Sequence, residues 1–131
     1  MEGSVKELIQ YRMERSKEML VAAEENLKTK QYRTSLNRSY YAVFHAMRAV
    51  NTIDGFDSSK HSGVIAYFNK AFLKKEKLDK NLSKIIKDTS YLREKSDYDD
   101  FYLASYHDAK IQLENARKFI EAVEKYLDSV F

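Results

Sequence analysis

Apolar residues recur three and four positions apart along most of this chain, the spacing of one buried face of an α-helix. Ile9, Met13, Ser16, Leu20, Ala23 and Leu27 form the first such stripe, which predicts a helix from about Val5 to Lys28. Lys6, Arg15, Glu18 and Glu25 take its solvated side. Thr29, Lys30 and Gln31 make a short joint, so the next helix folds back beside the first. That second helix should run from about Tyr32 to Thr52. Leu36, Tyr40, Val43, Met47 and Val50 fall on one side of it, and Arg38, Tyr41, His45 and Arg48 on another. Between them lies a strip of Ala42, Ala46 and Ala49, small enough for close helix approach. Few directions around this segment suit open water, so it is expected at the centre of a bundle.

Asp54-Gly55 should stop the second helix, glycine being free to turn left-handed. Ser58 or Ser59 is the expected N-cap of a third helix. There His61, Ile65, Phe68 and Phe72 share a face, with Val64 beside them. Lys74-Lys75-Glu76-Lys77 reads as a solvated linker or helix end. Asp79 should cap a fourth helix whose seam is Leu78, Leu82, Ile85, Thr89 and Leu92. Beyond Leu92 the period breaks, and residues 93–102 read as an irregular charged and aromatic stretch. A last helix should span about Ser105 to Asp128, opened by Ser105-x-x-Asp108 in the manner of a capping box. Tyr106, Ala109, Leu113, Ala116, Ile120, Val123, Leu127 and Val130 keep its register, facing the core or sealing a dimer. The expected fold is all-α, an up-and-down bundle of four to five helices in one domain, residues 1–131.

Composition narrows the function classes. Proline is absent and glycine occurs three times, which argues against β-sandwiches and glycine-rich phosphate loops. Without cysteine there is no disulfide and no thiolate metal site. No apolar run is long enough to span a bilayer, and the N-terminus lacks the apolar core of a signal peptide, so a cytoplasmic protein with no membrane partner is expected. The net charge of +3 fits an ordinary soluble surface and does not by itself require nucleic acid.

Candidate chemistry centres on the second helix. Arg38, Tyr41 and His45 line up along one face. A guanidinium binds phosphate through a planar fork, and histidine titrates near neutrality. Together they suit phosphate binding or phosphodiester cleavage; the structural alternative pairs Arg38 with Asp97, Asp99 or Asp100 and leaves His45 at the core edge. His61 and His107 stand isolated in sequence. No histidine pair has metal-ligand spacing, so neither metal nor cofactor is expected. No glycine-flanked serine supports a hydrolase.

Three segments carry a family resemblance. Asn37-Arg38-Ser39-Tyr40-Tyr41-Ala42-Val43-Phe44-His45-Ala46, Lys60-His61-Ser62-Gly63-Val64-Ile65 and Leu92-Arg93-Glu94-Lys95-Ser96-Asp97-Tyr98-Asp99 resemble, in order, the small stand-alone HEPN-domain proteins of archaea and bacteria. The resemblance implies a helical bundle, a homodimer, and a minimal nucleotidyltransferase as partner in a toxin–antitoxin pair. It also implies, for active members, metal-independent RNA cleavage by an arginine followed after four to six residues by a histidine. Arg93 occupies the place of that arginine. Tyr98, preceded by Asp97, stands where the histidine is expected, while Arg38 and His45 meet the spacing on a different helix.

Three readings follow. The first is a dimeric HEPN bundle that binds a nucleotidyltransferase, RNA or a nucleotide through a cleft lined by Arg38, Tyr41, His45, Arg93, Asp97 and Tyr98. The second is a ribonuclease with His45 as proton carrier and Arg38 or Arg93 stabilising the phosphorane. The third is a helical interaction module without a ligand.

Overall fold

The structure is a computed structural model that describes residues 2–131. Its elements are α1 (Glu2–Lys28), α2 (Tyr32–Asn51), α3 (His61–Phe68), α4 (Leu82–Tyr98) and α5 (Tyr106–Val130), with no strand among the described residues. The all-α bundle expected from the periodicity is therefore the fold. No helix among the described residues is long and apolar enough to cross a membrane.

Helix α2 is the axis. Leu36, Tyr40, Val43, Met47 and Val50 are buried, and so are Ala42, Ala46 and Ala49. The small residues let α1 come close enough for hydroxyls to reach across. Ser16 Oγ donates to the Ala42 carbonyl at 2.6 Å, and Ser35 Oγ donates to the Ala23 carbonyl at 2.9 Å. On the α1 side, Ile9, Met13, Ser16 and Ala23 are buried, as the stripe predicted.

Gly55, at φ +73°, ends a short 3-10 turn (Thr52–Asp54) that continues α2. The cap of α3 differs from expectation. Its N-terminal flank is Lys60 in extended conformation, and Ser58 Oγ instead accepts from the Lys60 N–H at 3.1 Å. A Cβ at Gly63 would stand 2.5 Å from Ser58 Oγ, so glycine there lets the α2–α3 loop lie against the helix. After Phe68 the helix widens into a π turn (Asn69–Leu73), burying Ala71, Phe72 and Leu73 in succession. The lysine-rich run that follows is exposed, as expected.

Helix α4 corrects the sequence reading twice. Asp79 caps no helix end directly; its Oδ1 accepts from the Asn81 N–H, one residue before the helix. The helix also continues to Tyr98, well past Leu92. Its buried side is Leu82, Ile86, Thr89, Arg93 and Ser96, with Ile85 and Leu92 only half-buried. The three-four spacing never breaks. It carries an arginine and a serine where aliphatic residues were sought. In α5, Ser105 caps the helix through Asp108 N–H at 3.0 Å, and the expected register is buried from Ala109 to Leu127; Tyr106 and Val130 are exposed.

A candidate anion-binding cleft

Arg93 reaches from α4 towards α2. Its guanidinium carbon sits 4.5 Å from the centre of the Tyr40 ring and 6.0 Å from that of Tyr41. The residue is 8% exposed, and its Nε has no hydrogen-bond acceptor. The nearest carboxylate is Asp97, one helical turn on, at 3.7 Å from Nη1. That separation is beyond hydrogen-bond length, so the charge is balanced but not clamped.

Asn37 ties this group to Arg38. Its amide donates to Asp97 Oδ2 at 3.2 Å, while its carbonyl oxygen accepts from Arg38 Nη1 at 2.5 Å. Arg38 has no carboxylate partner among the described residues. The structure thus brings Arg38, Asp97 and Arg93 into one hydrogen-bonded and ion-paired chain, with Asn37 as the link that residue spacing gave no reason to select. Tyr41 lies half-buried alongside. Tyr98 does not join them: it is 76% exposed at the end of α4.

His45 belongs to a neighbouring group. Its ring is 6.1 Å from Tyr41, but no hydrogen bond or ion pair joins it to Arg38 or Arg93 among the described residues. It sits instead near Arg12, Arg15 and Arg48. Burial, reinforced by those three cations and by His61, pushes its pKa down to about 4. Asp57 accepts from Arg48 Nε at 3.1 Å and Nη2 at 2.8 Å, and from Arg12 Nη2 at 3.1 Å. Its hydrogen bond to Arg48 holds its carboxyl below the usual range. Arg12 also donates to Thr52 Oγ1 at 2.6 Å.

The histidine that does meet the Arg93 group is His61, which looked isolated in sequence. It opens α3, its Nδ1 lies 3.0 Å from the Tyr40 hydroxyl, and its ring centre is 4.3 Å from Phe44 and 5.7 Å from Tyr41. Burial, then the charges of Arg93 and Arg48, lower its pKa. Burial raises Tyr40 to about 12 against the opposing pull of Arg93. The signal lay in the matched segments: one supplied Tyr40 and another His61. The described residues contain no cluster of three His, Asp or Glu side chains that could hold a metal ion.

Across residues 9–126 the sequence matches the HEPN domain. The chain belongs to the HEPN domain family. A HEPN-domain relative from Thermotoga maritima, a UPF0332 protein, is 32% identical over 94% of this chain and 93% of its own. Two proteins of Methanocaldococcus jannaschii, each named "Putative toxin", are 29% identical; one match covers 98% of this chain and 88% of the relative, the other 96% and 93%. The HEPN fold has a solved counterpart in the crystal structure of TT1696 from Thermus thermophilus. The TM-score is 0.76 at 17% identity, over 90% of this chain and 97% of that one.

Proposed function

We propose that this HEPN protein binds the phosphate of an RNA or nucleotide in the cleft between α2 and α4, within a toxin-type system that includes a nucleotidyltransferase partner. One observation carries the reading. The two arginines of the cleft share a single carboxylate, held at 3.7 Å from one of them, while the other has only an amide oxygen. Were both locked by acids, an anion would find no free donor. A phosphate can instead accept from guanidinium forks that are already positioned by Asn37 and the Tyr40 ring. Tyr41 offers a half-buried aromatic face next to them, and His45 marks the far end of the same stripe of α2. The relatives named as toxins support the wider setting.

Cleavage is the second outcome of the same test. His45 is uncharged at neutral pH, the form a general base needs, though not the form of a general acid. Labelled RNA incubated without metal distinguishes the two: retention of intact RNA, weakened in Arg38→Ala, is the expected result. Cleavage lost in His45→Ala would move the protein to the ribonucleases. Failure of wild type to hold RNA or nucleotide at low salt would remove the cleft's role, and co-purification with a nucleotidyltransferase would then have to rest on another surface.

A further inference from the structure

His61 offers a hydrogen-bond donor to the same cleft, and the neighbouring side chains decide which of its nitrogens carries the proton. Tyr40 is 1% exposed, and its hydroxyl has one hydrogen-bond partner among the described residues, His61 Nδ1. If Nδ1 donated to the phenol oxygen, the buried O–H would be left without an acceptor, a loss that buried polar groups rarely sustain. The phenol therefore donates, Nδ1 accepts, and the neutral ring carries its proton on Nε2. Nε2 lies across the ring, has no hydrogen-bond partner among the described residues, and reaches solvent.

The backbone favours the same arrangement. His61 is the first residue of α3, and its N–H and that of Ser62 have no backbone acceptor, whereas Gly63 and Val64 donate to Lys60. The positive end of a helix disfavours a protonated imidazole and favours an anion. Arg93, nine-tenths buried with an orphan Nε, faces the other side of the Tyr40 ring system. Asp97 is the opposing carboxylate that an arriving anion has to compete with.

We propose that His61 is a ligand-contacting residue, whose Nε2–H donates to a phosphate oxygen beside Arg93 and whose ring is set by the Tyr40 hydroxyl acting as a positioning group. The proposal rests on the phosphate-binding reading above and adds a third element, α3, to the site. It also gives the two histidines different work: His61 donates to the ligand, while His45 stays outside the contact.

The test uses the full chain labelled with 15N and follows the imidazole nitrogens while inorganic phosphate, and in a parallel arm a 5′-phosphorylated ribodinucleotide, is added. Before ligand, His61 should show the Nε2–H tautomer, and Tyr40→Phe should mix the two tautomers without unfolding the chain. Phosphate should move His61 Nε2 and leave His107 unchanged. His61→Phe, which fits beside Phe44, should weaken binding roughly 10-fold, the effect of one hydrogen bond to a charged group. His61→Gln, retaining a donor, should recover most of it. Phosphate binding that leaves His61 Nε2 unmoved, or an Nδ1–H tautomer in the wild type, overturns the role of His61 while the arginine cleft stands. Absence of phosphate binding despite the Nε2–H tautomer overturns both. Binding of the dinucleotide but not of phosphate alone, with His61 shifting, assigns the contact to a nucleotide phosphate.

Discussion

The guanidinium of Arg93 rests 4.5 Å from the centre of the Tyr40 ring, at a position in the α2–α4 seam that an aliphatic side chain could fill. A cation over an aromatic face gains roughly 0.5–2 kcal/mol. That gain is set against taking the charge out of water with only a loose carboxylate beside it. The arginine is thus a weak contributor to stability and a strong candidate for function.

Arg93→Met should accordingly leave the unfolding free energy within about 1 kcal/mol of wild type, since an apolar chain of similar length fills the seam. Arg93→Ala should lose about 2–4 kcal/mol through the cavity it opens. Urea denaturation separates the two variants. Both should lose anion binding at least about 10-fold, so a Met variant that is stable and still binds would take Arg93 out of the site.

Acid should weaken the fold through His45. Its folded pKa of about 4 lies below the ordinary 6.5, so between those values the unfolded chain holds the extra proton. Unfolding free energy therefore rises with pH across that window, and is lost as pH falls from about 6.5 towards about 4, by up to about 3 kcal/mol. His45→Phe should flatten this part of the profile. Urea midpoints at several pH values provide the check, and an unchanged slope in the variant would locate the acid sensitivity elsewhere.

Close approach of α1 and α2 depends on the alanine strip. Ala46 is fully buried, and leucine in its place has no room without moving a helix. Ala46→Leu should cost about 1–3 kcal/mol or more by overpacking. Thermal melting of the variant should show the loss; a neutral result would mean that the helices separate easily.

The segment after α4 is held from beneath by Arg33, which donates to the carbonyl oxygens of Ser96, Asp99 and Tyr102. Phe101 and Leu103 point outward, 94% and 88% exposed, while Tyr102 turns inward to donate to Asp108 at 3.1 Å. Arg33→Ala should speed amide exchange across residues 99–104 and leave α5 protected. Equal exchange in variant and wild type would show the segment to be held by other contacts.

Much of the bundle was legible because its helices obey one period. The α2 stripe, the Gly55 stop and the Ser105 cap each rest on local chemistry that the sequence exposes directly. The end of α4 did not yield, for a physical reason: Arg93 and Ser96 occupy core positions, and a search for apolar spacing reads a buried cation as a break. The cleft was legible by half. Arg38 and Arg93 could be selected by residue type, and Tyr41 by its face. Asn37 and His61 could not, because a carboxamide link and a Tyr40-to-imidazole contact depend on how three helices meet. His45 shared the stripe of α2 but answers to α1, whose Arg12 and Arg15 surround it. That neighbourhood is invisible from spacing on one helix.

The two serine hydroxyls between α1 and α2 have a further consequence. Ser16 points to a carbonyl on α2, and Ser35 points back to one on α1, near opposite ends of the paired helices. Sliding either helix by one turn would strip both hydroxyls of their acceptors inside a dry contact, at about 1–3 kcal/mol each. Smooth alanine surfaces alone would tolerate several alignments. The paired hydroxyls select one, and with it the height at which Arg12 and Arg15 stand against His45.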